Sequence, residues 1–202
     1  MTGEFDIIRR FFKKPFQHVQ PASRGEILLG IGDDCAEMQV PEGHKLLTSQ
    51  DLLLADRHFF GDGEPSDIGY KSLAVNLSDL AAQGASPLGF SLGLAMESVD
   101  PVWLEGFSQG LLEAATQFSC PLVGGDTTRC KPGGGPVVAI QVFGTKPIGS
   151  SSLQRNQAKV GDSVWVTGIP GLARLGLLHE AEQRGLLSEF LDPTEADGYS
   201  LW

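Results

Sequence analysis

Positive charge is in short supply in this sequence. Its 202 residues carry 15 Lys and Arg against 25 Asp and Glu, a formal net charge of -10. No basic cluster is available to displace counterions from a nucleic-acid backbone, and an anionic membrane surface would repel the chain. Cysteine is scarce as well. Cys35, Cys120 and Cys130 form no CxxC pair, and His18, His44, His58 and His179 show no metal-ligand spacing relative to them. This argues against a disulfide framework or a zinc site and fits a reducing cytoplasm. Long apolar runs are missing too. The longest uncharged stretch, Leu80 to Met96, is broken by Gln83, Gly84, Pro87, Gly89 and Gly93, so it cannot span a bilayer. The N-terminus is charged throughout and is no signal peptide. What remains is ordinary globular composition, 41% hydrophobic, enough to bury a core in one large domain or one domain plus part of another.

Periodicity divides the chain into mixed elements. Phe5, Ile7, Ile8, Phe11 and Phe12 recur at helical spacing, and residues 13–26 read as a loop. Short strands are expected at Ile27–Leu29 and Lys45–Thr48. A helix is expected from Pro65-Ser66-Asp67 to Gly84, which suits the position after a helix C-cap. Leu88 to Leu94 alternates at strand period, and Trp103 to Phe118 reads as a second long helix. Pro121 to Val123 is a short strand running into Gly124-Gly125-Asp126. Val137 to Phe143 is a strand apolar on both faces. Ser163 to Val166 is a further expected strand, and Leu172 to Arg184 a helix. Strands and helices intermix throughout, which gives an α/β or α+β domain.

Two phosphate-binding patterns fail on inspection. Gly69-Tyr70-Lys71-Ser72 has Tyr70 where a P-loop needs Gly before its Lys. Gly30-Ile31-Gly32-Asp33-Asp34-Cys35 has Cys35 in place of the last Gly of a dinucleotide fingerprint, and acidic residues where pyrophosphate would approach. The informative residues are aspartates at the ends of expected elements: Asp33-Asp34, Asp51, Asp79 and Asp126. Carboxylates are hard oxygen ligands suited to Mg²⁺. Two like charges at ~4 Å repel by about 4 kcal/mol at an effective dielectric of ~20, so a cleft that gathers them calls for cations. Divalent ions would also let an acidic protein hold a polyphosphate. Each residue has a plainer reading beside this one. Asp33 suits a turn, Lys71 is a candidate ion-pair partner for Asp79, His58 suits a loop, and Arg155 a solvated charge.

Taken together, the motifs resemble the thiamine-monophosphate kinase family, of the superfamily that also contains aminoimidazole ribonucleotide synthetase and selenophosphate synthetase. The matching residues are Gly3-Glu4-Phe5, Gly30-Ile31-Gly32-Asp33-Asp34, Asp51 with His58-Phe59, and Gly69-Tyr70-Lys71. They continue with Ala74-Val75-Asn76-Leu77-Ser78-Asp79-Leu80-Ala81-Ala82, Gly124-Gly125-Asp126-Thr127-Thr128-Arg129, Arg155 and Gly161-Asp162. The resemblance implies an N-terminal domain of the aminoimidazole ribonucleotide synthetase-like fold, a mixed sheet with helices packed on one face. It implies transfer of the γ-phosphoryl of ATP onto thiamine monophosphate, giving thiamine diphosphate. By the same resemblance Asp34, Ser49, Gln50, Asp51, Asp79 and Asp126 would hold Mg²⁺, Gly125, Asp126 and Arg155 the nucleotide, and His58 the thiamine substrate. A homodimer in the cytoplasm is implied as well. The family's second domain carries SDG and GEDYE-like motifs that do not occur here. The expected organisation is therefore an ATP- and Mg-binding, dimerising domain over residues 1–150 and the start of a truncated second domain over 151–202. Two alternatives stay open: another ATP-dependent synthetase of the superfamily, and a catalytically silent metal-binding or dimerisation module.

Overall fold

Alternating apolar residues make two segments the inner strands of a sheet. In the computed structural model, residues 4–151, 153–187 and 190 are described. Gly3 of the first motif and the closing Leu201-Trp202 lie outside them. The chain divides into two units, Met1–Gln154 and Arg155–Trp202. The first unit opens with α1 (Glu4–Ile7), a π-helical stretch (Ile8–Lys13) and α2 (Lys14–Phe16). Then come β1 (Glu26–Leu29), β2 (Glu37–Gln39), β3 (His44–Leu54), α3 (Pro65–Ala82), β4 (Ser86–Met96), α4 (Pro101–Gln117), β5 (Leu122–Arg129) and β6 (Val137–Pro147). The second unit contains α5 (Leu172–Gln183).

The main sheet has the order β3-β6-β4-β5. β6 runs antiparallel to both β3 and β4, while β4 and β5 are parallel and joined through α4, the kind of crossover a parallel pair requires. Register sorts the side chains into two faces. Leu53, Val138 and Leu94 lie in one row, and Asp51, Ile140 and Leu92 in the next. All of these except Asp51 are buried; α3 packs over them, and α4 packs against α3. The opposite face carries Leu46, Leu52 and Leu54, which are 50%, 54% and 38% exposed. The sheet is thus covered by helices on one side only along β3, and this mixed α/β arrangement is the one expected from sequence. β1 and β2 form a separate two-stranded ribbon.

Helices α3 and α4 approach closely because glycines face each other's backbone. A Cβ added at Gly110 would lie 1.8 Å from the Ser66 carbonyl oxygen, and one at Gly69 would lie 2.1 Å from that of Phe107. α3 ends as its sequence predicts: Gly84 takes a φ of 66°, its N–H reaches the Ala81 carbonyl, and the Ala85 N–H reaches that of Leu80. This is the Schellman arrangement, which satisfies carbonyls the helix leaves unpaired. α4 starts at Asp100, whose carboxylate accepts from the Val102 and Trp103 N–H groups.

Three expectations are corrected, and one strand gave no sequence signal. The N-terminal helix runs on to Phe16 instead of giving way to a loop at residue 13, because Phe16 is buried and sits edge-on against Phe90 with ring centroids 6.2 Å apart. β2 lacked a sequence signal because it is only three residues long. β5 continues through Gly124 and Gly125 to Arg129, so Asp126 lies within a strand and not beyond its end. Residues 163–166 form no strand: Val164 and Trp165 are 92% and 89% exposed, and no strand pairs with them among the described residues. Alternation without a hydrogen-bonding neighbour does not make a strand. No helix is long and apolar enough to cross a membrane among the described residues. The three cysteines are free thiols, and burial pushes Cys120 up to about 12, which leaves it chemically inert.

Candidate functional site

β3 is an edge strand, so half of its backbone groups lack a strand partner. Its pleat turns Ser49 and Asp51 toward α3. On α3, Asn76 and Asp79 are three residues apart and share a face, as helical spacing requires. The two elements meet through these side chains. Asn76, fully buried, accepts the Asp51 N–H at 3.0 Å through its side-chain oxygen. It also donates to the Ser72 carbonyl at 3.0 Å. Ser49 donates its hydroxyl to the Asp79 carboxylate at 2.6 Å. Asn76 therefore spends both ends of its amide holding the strand edge against the helix, while Ser49 orients Asp79.

The electrostatics of this corner are unfavourable in the bare chain. Burial, and then the neighbouring Asp79 charge, hold the Asp51 carboxyl above the ordinary carboxylate value, with His58 acting in the opposite direction. His58 stands on a turn just beyond β3. Its Nδ1 accepts the Leu54 N–H at 3.1 Å, which assigns the ring proton to Nε2. Lys71 donates its ammonium to the His58 carbonyl, not to Asp79, and burial lowers its pKa. The plainer reading of Asp79 as the ion-pair partner of Lys71 is thus set aside. The turn itself is pinned by Asp56, in a left-handed conformation at φ 59°, whose carboxylate accepts the Gly61 N–H at 2.9 Å.

Asp34, Gly125 and Asp126 gather elsewhere, around a cavity of about 300 Å³ beside β5. Gly125 has a φ of 153°, and a Cβ there would lie 1.9 Å from the Leu92 carbonyl oxygen, so the position requires glycine. Asp33 accepts the Asp34 N–H at 2.9 Å, which makes it the turn residue of its pair. β3 and β5 are opposite edges of the sheet. Three strand spacings, roughly 14 Å, separate them. Asp126 pairs with Gly93 and shares its row with Ala139 and Leu52, on the face opposite Asp51.

The residues picked out from sequence therefore fall into separate groups. Ser49, Asp51, Asp79 and His58 come together on β3 and α3. Asp34, Gly125 and Asp126 come together at β5. The side chain of Gln50 lies on the open face in register with Gln141, away from its neighbours Ser49 and Asp51. Arg155 is exposed and belongs to the second unit. Among the described residues, no three His, Cys, Asp or Glu side chains stand close enough to hold a metal unaided. Asn76 was not singled out, although a polar residue three positions before Asp79 on an apolar helix was a usable signal. Thr127 was missed as well: its hydroxyl is buried with no partner, which only the tertiary structure reveals.

Residues 32–145 match the family described as AIR synthase related protein, N-terminal domain. The chain is 44% identical over 176 residues to the thiamine-monophosphate kinase of Escherichia coli K12, covering 87% of this chain and 51% of that protein. It is 41% identical to the Salmonella typhimurium thiamine-monophosphate kinase, covering 95% of this chain and 59% of the relative. Among solved structures, thiamine-monophosphate kinase from Stenotrophomonas maltophilia K279a superposes with a TM-score of 0.74 at 35% identity, covering 98% of this chain and 59% of that one. A structure described as AaThiL complexed with AMPPCP and TMP gives 0.65 at 25% identity, covering 98% and 61%. The chain thus spans between half and two thirds of the length of the relatives it matches.

Proposed function

We infer the function from the premise that this chain belongs to the AIR synthase related protein family. We propose that it carries the metal- and nucleotide-binding part of an enzyme that transfers the γ-phosphoryl of ATP to thiamine monophosphate, forming thiamine diphosphate in the cytoplasm. The observation that carries this reading is the corner formed by Ser49, Asp51 and Asp79. Two carboxylates and a hydroxyl are held together there by a strand and a helix, and one carboxyl is raised by burial and by the charge of the other. A site that pays to bring like charges together is suited to a hard dication, and Mg²⁺ commonly takes one or two carboxylates plus substrate phosphates.

In this reading Asp51 and Asp79 would hold Mg²⁺ on one edge of the sheet, with Ser49 beside them. Asp34 and Asp126 would hold it on the other, where Gly125 would lie against the nucleotide. Bound Mg²⁺ would neutralise the polyphosphate and the charge that develops during phosphoryl transfer. His58, presenting Nε2–H, would meet the thiamine substrate, and Arg155 the nucleotide. The Gln50 side chain, on the other face, would not share the Asp51 cluster. Residues 1–150 would form the binding and dimerising domain, with 151–202 beginning a second. A homodimer would cover the open sheet face that exposes Leu46, Leu52 and Leu54. β4 and β6 are interior strands, so a second copy would meet them face-on.

The test is ADP release by the full-length gene product with Mg-ATP, with and without thiamine monophosphate. Release is expected to depend on thiamine monophosphate and to fall by ~10²-fold or more in Asp79→Asn, the scale of losing one transition-state stabilising group. ADP release indifferent to thiamine monophosphate would refute the proposed acceptor.

A further inference from the structure

His58 is held at three points. Its backbone N–H donates to the Leu54 carbonyl at 2.9 Å, its Nδ1 accepts the Leu54 N–H at 3.1 Å, and its carbonyl accepts from the Lys71 ammonium. Nε2 is the ring nitrogen that none of these bonds uses. The turn around His58 also closes on itself. Asp56 donates its N–H to the Phe59 carbonyl at 2.8 Å, and its carboxylate accepts the Gly61 N–H at 2.9 Å. These bonds fix the shape of the turn. They do not fix where the turn stands relative to α3. The Lys71 bond does, because it runs from the helix to the turn across 13 residues of chain.

Side chains on a helix tilt toward its N-terminus, so Lys71 leans away from Asp79, which stands further along α3. At 1.5 Å per residue, the two positions are roughly 12 Å apart along the helix axis. In a chain of net charge -10, this ammonium is thus directed to a neutral carbonyl and not to the nearby carboxylate pair. A charged donor makes the stronger kind of hydrogen bond, and it arises here from a helix that α4 holds in place. One rigid element therefore carries a carboxylate of the metal corner near one end and the anchor of the His58 turn near the other. We propose that Lys71 is a positioning residue: through the His58 carbonyl it sets the imidazole at a fixed distance from the Asp51 and Asp79 corner, so that an acceptor recognised at His58 brings its phosphate to the metal. This rests on the reading that His58 meets thiamine monophosphate.

The test uses the full-length gene product as wild type, Lys71→Met and Lys71→Arg. Lys71→Met keeps the stem and removes the donor, whereas Lys71→Arg keeps a charged donor for the same carbonyl. In steady-state ADP release, Lys71→Met is expected to raise KM for thiamine monophosphate by ~10-fold, the scale of one hydrogen bond to a charged group. KM for Mg-ATP should stay unchanged, and Lys71→Arg should recover most of the loss. Amide hydrogen exchange gives a readout independent of activity: in Lys71→Met the Asp56, His58 and Gly61 amides should exchange several-fold faster, with β4 and β6 unchanged. Unaltered exchange at the turn overturns the tether. Faster exchange with an unchanged KM for thiamine monophosphate, or an equal rise in KM for Mg-ATP, overturns the positioning role. Both results leave the phosphoryl-transfer reading standing. Wild-type ADP release that ignores thiamine monophosphate overturns that reading and this inference with it.

Discussion

Asp51 shows how a single residue can make the candidate corner costly to fold. Its carboxyl lies above the ordinary value of 3.8, so the folded chain holds this proton more tightly than the unfolded chain does. Its contribution to stability is therefore full below pH 3.8 and is lost as pH rises through the raised value. Once ionised, Asp51 stands beside the Asp79 charge and works against folding. Asp51→Asn should thus raise the melting temperature of the metal-free chain at pH 7. The gain should stay below about 1 kcal/mol, because solvent screens a partly exposed pair. The difference from wild type should vanish near pH 3.5. The same variant should lose the thermal shift that Mg-ATP gives wild type, since only ligands bound by the folded state stabilise it. Melting curves at the two pH values, with and without Mg-ATP, check both halves, and a variant less stable at pH 7 would contradict the repulsion.

At the scale of elements, the site depends on α3 keeping its place over β3, and α4 is what fixes α3. The contact is close because Gly69 and Gly110 offer no side chains to the facing helix backbone. Gly110→Ala places a methyl group 1.8 Å from a backbone oxygen, which no rotamer change can relieve. The helices must separate, and overpacking of this kind typically costs about 1–3 kcal/mol or more. Alanine is the better helix former by ~1 kcal/mol, so propensity alone predicts the opposite sign. Urea unfolding of Gly110→Ala should therefore show a lower midpoint than wild type, and a raised midpoint would mean that the helices can yield freely. The far end of α3 is also tied down: the buried Lys146 ammonium donates to the Gln83 and Ser151 carbonyls at 2.7 and 2.9 Å. These fastenings keep Asn76 and Asp79 in register with the strand they serve.

At the scale of the molecule, the sheet has one helix-covered face and one that leaves leucines in water. Leu52 and Leu54 are neighbours on the open side of β3, with Leu46 on the same face beyond Gln50 and Thr48, and exposed apolar residues rimmed by polar ones commonly mark protein contacts. With the homodimer proposed above, Leu52→Glu should dissociate the assembly, because an unpaired carboxylate within an apolar interface is strongly disfavoured. Sedimentation at micromolar concentration is expected to give a dimer for wild type and a monomer for the variant, with the far-ultraviolet circular dichroism unchanged. A wild-type monomer would contradict the proposal. The acidic balance of 25 against 15 also belongs to this scale: in the proposed reading it would make nucleotide binding depend on divalent cations.

The sequence by itself determined the mixed α/β class, both long helices and the end of α3 at Gly84. Each depends on local physics: apolar spacing, a proline at a helix start, or a residue that tolerates positive φ. It also marked Asp51, Asp79 and Asp126, because carboxylates gathered at the ends of expected elements suit hard cations. Only the tertiary structure decided which of them meet. Whether a side chain of β3 looks toward α3 or away follows from strand pairing between residues far apart in the chain. That pairing puts Ser49 and Asp51 on one face and Gln50 on the other. It also sets Asp126 at the opposite edge of the sheet, where a strand, not a loop, carries it. The unpartnered Thr127 hydroxyl and the strand that residues 163–166 do not form were hidden for the same reason. Hydrogen-bond satisfaction belongs to pairs of segments, and one segment read alone does not reveal its partner.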